Sequence, residues 1–346
     1  MDQMMPKISF PIAVRHLWRA ALLLITLAAT AVASTPESQP LLPSWRDGAA
    51  KNAITAFVAR VTDINGSGFV PPAERIAVFD NDGTLWPENP MLFQLAFALD
   101  ELARRLPGEP TWKDDPMVQA ALKGDLRALL ADHYKGLFHI LELTGSGMTT
   151  VEFSDRVREW FATAKHPRFA RPYDQLAYQP MLELLAYLRA NGFKTFIVSG
   201  GGADFMRVFS ERVYGIPPEQ VIGSHTRAVY ELRESGPVLV KTMNDLFINA
   251  NAAKPVGIQQ FIGRRPIACF GNSDGDLQML EYTTINNPRP SFGMLVHHTD
   301  AEREYAYDAA PKSTGKLVDA LADAPKRGWI VVDMKNDWAE IFAPSP

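Results

Sequence analysis

Cysteine is nearly absent. Cys269 is the only one in 346 residues, so no intrachain disulfide can form and the fold must rest on burial and hydrogen bonding. Its setting, the apolar run Ile267–Phe270, reads as a buried small hydrophobe, with no histidine or lysine beside it to activate the thiol. A basic excess is also missing. The formal charge is −4, so nothing argues for a nucleic-acid-binding surface. No internal repeat is visible. The remaining composition, 47% hydrophobic and 21% charged, is that of an ordinary globular protein. The length suits one large domain or two modest ones.

The N-terminus lacks an apolar run long enough for a membrane span. Ala20–Val32 has 13 residues, against the roughly 20 a bilayer requires. Lys7, Arg15 and Arg19 precede it, and Ala31-Val32-Ala33 follows the A-x-A cleavage pattern. Residues 1–33 therefore read as a secretory signal that is cut off, leaving a periplasmic or secreted chain without stable membrane insertion. No cysteine near the cut supports a lipid anchor. Residues 34–48, rich in Pro and Ser, read as a surface lead-in.

The most informative segment is IAVFDNDGTLW, residues 76–86. A strand over 75–80 delivers Asp80 and Asp82 to its C-terminal tip and turns on Gly83. In open α/β sheets, ligands bind just beyond that end of the strands. One carboxylate can serve as nucleophile and the other can move a proton, and both can help hold a hard divalent cation. Strand signals then disappear for about 90 residues. Helical spacing runs through 91–105, 117–130, 135–143 and 151–164. The Gly145-Ser146-Gly147 stretch joins two of these helices, because no strand precedes it as a phosphate-binding loop would require. From Gln179 the pattern alternates: helices over 180–190, 203–213, 255–262 and 276–282, strands over 193–198, 221–223, 266–270 and 292–296, and a hairpin over 229–232 and 238–240. This predicts an α/β fold with a parallel sheet covered on both faces.

Three more polar groups follow the strands. Ser199-Gly200-Gly201-Gly202 offers a hydroxyl and backbone N–H groups at an expected helix N-terminus, suited to an oxyanion. Lys254, just before Pro255, can neutralise a phosphoryl group. Gly271-Asn272-Ser273-Asp274-Gly275-Asp276 clusters oxygen ligands on a tight turn, as Mg²⁺ prefers. Trp86, Glu88 and Phe93 follow the first motif; packing explains the two aromatics and solvation explains Glu88. His297 and His298 cannot easily form one metal site, since adjacent strand residues face opposite ways.

The order of these segments resembles the haloacid dehalogenase superfamily, and within it the phosphoserine-phosphatase-like enzymes. The resemblance spans roughly 72–300 and rests on Asp80-Asn81-Asp82-Gly83-Thr84, Ser199, Lys254 and the run Gly271 to Asp276. It implies a Rossmann-like core over 34–86 and 179–346 with an inserted C1-type helical cap at 87–178. It implies that Asp80 attacks phosphorus, that Asp82 protonates the leaving oxygen and then activates water, and that Ser199 and the Gly200 N–H hold phosphate oxygens. Lys254 would bridge Asp80 and the phosphoryl group. Mg²⁺ would be held by Asp80, the Asp82 carbonyl, Asn272 and Asp276. The last motif departs from the family's GDxxxD: Asn272 stands where an aspartate is expected, which removes a charge, while Asp274 adds one nearby. The implied activity is Mg²⁺-dependent hydrolysis of a small phosphomonoester through an aspartyl-phosphate. A phosphotransferase, or a phosphoryl-ligand binding protein with a degenerate metal site, are the rival readings.

Overall fold

The computed structural model describes residues 41–344; the side chain of His133 is not among those described. The expected leader at 1–33 lies outside the described residues. Among them, no helix is long and apolar enough to cross a membrane.

The described residues form eight strands: β1 (Ile76–Phe79), β2 (Lys194–Gly202), β3 (Val221–Ser224), β4 (Val229–Arg233), β5 (Gly236–Val240), β6 (Ala268–Gly271), β7 (Phe292–His297) and β8 (Ile330–Asp333). Six of them make one sheet in the order β3-β2-β1-β6-β7-β8, and β4 pairs with β5 as a separate hairpin. All pairings in the large sheet are parallel. Every residue of β1 and β6 is buried. Alternation along β1 splits the core in two: Ala77 and Phe79 join one cluster, Ile76 and Val78 the other. Phe79 stacks on Phe270 of β6 with ring centroids 4.3 Å apart. Cys269 lies in the second cluster, fully buried, and burial pushes its thiol pKa up, away from thiolate chemistry.

The strand order decides where chemistry can occur. β1 sits between β2 and β6, so the three polar strand tips are neighbours. The chain leaves β1 toward one side of the sheet for β2 and returns on the other for β6, which opens a crevice at the carboxyl ends.

The described residues also form twelve helices: α1 (Ala49–Thr62), α2 (Phe93–Arg105), α3 (Pro116–Leu122), α4 (Leu126–Gly145), α5 (Thr150–Thr163), α6 (Gln179–Ala190), α7 (Ala203–Arg207), α8 (Ser210–Tyr214), α9 (Ala253–Phe261), α10 (Leu277–Thr284), α11 (Asp319–Arg327) and α12 (Met334–Asp337). Helices α2 to α5 fall between β1 and β2, in the stretch where strand signals vanish. The helix expected over 117–130 is broken. Gly124 takes φ +68, and the Asp125 side chain accepts from Ala128 N at 3.0 Å, so a second helix starts there. That helix then absorbs the one expected over 135–143. Residues 203–213 likewise divide into α7 and α8.

The inserted helices are not sealed off from the core. Leu95, Leu102, Val118, Leu129 and Ile140 form a cluster of their own. Phe93, Phe97, Trp160 and Phe161 instead join the main core beside Trp86, Phe205 and Phe209. Trp86 stacks on Phe209 at 4.5 Å and lies 4.7 Å from Phe93. This aromatic seam ties the block to the sheet.

His166 lies at the foot of α5 and is only 2% exposed. Its Nδ1 accepts from the backbone N–H groups of Arg168 and Phe169. Burial, with the Arg168 charge, pushes its pKa down to about 4. A histidine held neutral in the fold but protonated in the unfolded chain contributes stability that is complete above the unfolded pKa of about 6.5 and is lost as pH falls toward 4. Denaturant unfolding at pH 7 and pH 5 should show a loss of about 2 kcal/mol from this group. His166→Asn should shrink that difference; an unchanged pH slope would count against the assignment.

Candidate active site

Asp80 continues β1, its N–H donating to Phe270 O of β6 at 2.9 Å. The pairing of β1 with β6 therefore fixes the carboxylate. Lys254, near the start of α9, is 2% exposed and places its ammonium 3.0 Å from Asp80 Oδ1 and 2.6 Å from Asp276 Oδ1. Burial disfavours the ammonium charge, but the two carboxylates outweigh it and hold the Lys254 pKa above its ordinary value. Asp80 is pushed up to about 8, first by burial and then by Asp276, with Lys254 pulling the other way. A bound cation would add to that pull.

Both oxygens of Asp276 have partners. Oδ1 meets Lys254, and Oδ2 accepts from the N–H groups of Asn272 and Ser273 at 3.0 and 3.1 Å. Its observed task is to anchor Lys254 to the turn after β6. Asp274 also serves the fold: Oδ1 accepts from the N–H groups of Val318 and Ala320 at the start of α11.

Asp82 is half-buried, and Trp86 Nε1 donates to its Oδ1 at 2.7 Å. Burial raises its pKa to about 6, against the downward pull of that hydrogen bond. Its carboxyl thus holds or releases a proton near neutral pH, which general acid–base work requires. Trp86 both packs, as its spacing indicates, and orients Asp82.

The Ser199 run departs from expectation. It does end at a helix N-terminus, with Gly202 as the N-cap of α7, but β2 stays extended up to that cap and its register with β3 shifts between Val198 and Gly202. Gly201 N donates to Ser199 Oγ at 3.1 Å, and Gly202 N donates to Gln94 Oε1 at 2.7 Å. The bulge still brings Ser199, Gly200 and Gly201 to the wall of the cavity that Asp80, Asp82 and Lys254 line. Asn249, fully buried, ties this loop down by donating from Nδ2 to Ser199 O.

Asn272 lies beneath the first motif. Its Oδ1 accepts from Thr84 Oγ1 at 3.0 Å, and its Nδ2 donates to Glu88 Oε1 at 2.5 Å. Glu88 is not solvated, as the sequence suggested. It is 3% exposed, accepts from Tyr307 OH and Thr314 Oγ1, and burial raises its pKa to about 7. The charge missing at 272 is thus present next door, and an amide at 272 can donate to Glu88 where a carboxylate could not.

His297 and His298 separate as the strand geometry requires. His297 is partly exposed and His298 is buried. His298 Nε2 meets the Gly83 carbonyl at 2.8 Å while Nδ1 meets Glu304 at 3.0 Å. Its ring stacks on Tyr307 at 4.4 Å. Burial opposes its protonation, yet Glu304 outweighs burial and raises the pKa. The pair braces the turn that follows Asp82. Sequence reading alone missed Gln94, Tyr307, Glu304 and Thr314, since none belongs to a motif with fixed spacing.

Among the described residues, no cluster of three or more His, Cys, Asp and Glu side chains is arranged around a common cation position. The donors at the strand tip are nonetheless all oxygen. The Asp80 carboxylate, the Asp82 carbonyl and the second lone pair of Asn272 Oδ1 suit a hard divalent cation such as Mg²⁺.

Comparison with known proteins agrees with this layout. Residues 77–281 match the haloacid dehalogenase-like hydrolases, and the chain belongs to that family. No curated protein sequence matches. Among solved structures, a conserved protein of unknown function from Anaerococcus prevotii is 16% identical, covering 72% of this chain and 86% of its own, with a TM-score of 0.47. A protein of unknown function from Bordetella pertussis is 15% identical, covering 75% and 99%, with a TM-score of 0.45. A HAD family hydrolase from Salmonella enterica serovar Typhi is 19% identical, covering 73% and 71%, with a TM-score of 0.36.

Two substitutions test the floor of the site. Gly83 has φ +77, and a Cβ there would lie 2.1 Å from Asn272 Nδ2 and 2.2 Å from Glu88 Oε1. Gly83→Ala should cost at least about 1–2 kcal/mol from the left-handed backbone alone, read as a lower Tm. Asn272→Asp should set a carboxylate against Glu88 and destabilise the metal-free protein by about 2 kcal/mol or more. Adding Glu88→Gln should restore most of that loss; additive losses in the double variant would refute the pairing.

Proposed function

We propose that this hydrolase is a phosphomonoesterase that works through an aspartyl-phosphate. The observation that carries the reading is Lys254, buried between Asp80 and Asp276 at the tip of β1. A phosphoryl dianion repels a carboxylate nucleophile, and fixed positive charge with N–H and O–H donors must offset that repulsion before in-line attack. The described residues supply both. Asp80 attacks phosphorus as the ester P–O bond breaks. Asp82 gives its proton to the departing oxygen, then takes one from the water that cleaves the acyl phosphate. Ser199 Oγ and the Gly200 N–H hold the phosphoryl oxygens, and Lys254 spans Asp80 and the phosphoryl group.

Mg²⁺, held by Asp80, the Asp82 carbonyl and Asn272, would neutralise phosphoryl charge when bound. Asp276 acts by orienting Lys254. The helices α2 to α5 serve as the cap that limits water and substrate. The leader at 1–33 would place the mature chain in the periplasm or outside the cell. The family supports hydrolysis over mere ligand binding, and Asp82 supplies the base that a water or an alcohol acceptor needs.

The mature protein with Mg²⁺ should hydrolyse p-nitrophenyl phosphate, and chelator should abolish turnover reversibly. Asp80→Asn should remove activity without lowering Tm, and Asp82→Asn should reduce kcat by about 10²–10⁴-fold. Phosphoryl transfer to an added alcohol in preference to water would establish the phosphotransferase instead. Binding of phosphate esters without turnover would leave only a binding protein.

A further inference from the structure

The cavity above Asp80 encloses about 470 Å³ and its two ends differ in chemistry. The floor carries Asp80, Asp82, Ser199 and Lys254. The opposite wall comes from α2 and α4, with Leu92 and Leu95 from the α2 side and Tyr134, Leu137, Phe138 and Leu141 from α4. Leu137, Phe138 and Leu141 are spaced i, i+1 and i+4 on the regular part of α4, while Tyr134, with φ +63, sits where the helix is locally distorted. Leu137 helps fill the block's own core, but Phe138 belongs to none of the hydrophobic clusters although it is only 8% exposed. It lines the cavity. Leu95 also belongs to that core, and Leu92 and Leu141 pack against it, so one apolar layer both fills the block and lines the cavity.

The charges reinforce the point. Besides Lys254, which is committed to two carboxylates, the only described cation lining the cavity is Lys316. It lies at the exposed rim, 3.8 Å from Asp274. No arginine lines the wall. A leaving group with its own carboxylate or second phosphate would find no uncommitted buried cation in this lining and would meet Asp274 and Asp319 there as like charges.

We infer that the substrates are phosphate monoesters of uncharged, apolar alcohols, whose hydrocarbon part lies against the Phe138 and Leu141 face of α4. This rests on the phosphomonoesterase reading for the phosphoryl end and adds the identity of the other end. Burial of each methylene on such a wall should strengthen binding about three- to fourfold.

The test is a homologous series of n-alkyl phosphates from methyl to hexyl, whose leaving alcohols differ little in acidity. The holoprotein should show kcat/KM rising about three- to fourfold per methylene. Phosphoserine and nucleoside monophosphates should be poorer than butyl phosphate, and phosphocholine should gain nothing over an uncharged ester of like size. Phe138→Ala should flatten the series, so that the gain per methylene falls toward onefold. In parallel, calorimetric binding of n-alkylphosphonates to the Asp80→Asn protein should follow the same slope. Turnover with no dependence on chain length, or a preference for anionic or cationic leaving groups, would overturn the inference and leave the phosphatase standing. Chain-length-dependent phosphonate binding without turnover of any ester would keep the apolar site and overturn the phosphatase. A phosphonate affinity that ignores chain length would remove the apolar site whatever the kinetics.

Discussion

The site depends on one buried cation shared by two anions. Lys254 is almost fully enclosed, and an ammonium in that position is tolerable only with opposite charge at hydrogen-bond distance. Asp80 and Asp276 meet that need from adjacent strand ends, and neither could be buried so close to the other without the lysine between them. The triad therefore locks α9 to the tips of β1 and β6. It also sets the electrostatics that a phosphoryl group would meet. Asp276, with its second oxygen held by two backbone N–H groups, makes the arrangement rigid, which charge stabilisation without reorganisation demands.

A second layer holds the turn after Asp82. Glu304 fixes His298, His298 meets the Gly83 carbonyl, and Asn272 bridges Thr84 to Glu88. These contacts come from segments more than 180 residues away in sequence. They explain why an asparagine stands in the acidic motif: beside a buried carboxylate, an amide donor satisfies what a second carboxylate would leave repelling. The charge is relocated within the site instead of lost.

Much of this was legible beforehand. The strand at 76–79, the helical stretch after it and the alternation from residue 179 all follow from periodicity, because apolar spacing is imposed by which face is buried. The residues Asp80, Asp82, Ser199 and Lys254 stood out because they follow strands whose tips converge. Less legible were the break at Gly124 and the split near Phe209, where single residues end a helix within a continuing apolar pattern. The extension of β2 through three glycines was hidden as well, since glycine states no preference that sequence alone can read. Residues beyond 300 gave no recognisable pattern, yet β8 completes the sheet there and Glu304, Tyr307 and Thr314 serve the site.

The sequence by itself determined the parallel α/β core, the burial of Cys269 and the set of polar groups available at the strand ends. These depend on local periodicity and residue type. Only the tertiary structure decided that Asp276 holds Lys254 with both of its oxygens occupied, that Glu88 is buried against Asn272, and that one face of α4 looks onto the cavity. Those outcomes hang on which distant segments meet. A side chain's charge, its hydrogen-bond partners and its exposure are properties of its neighbours in space, and chain order does not state them.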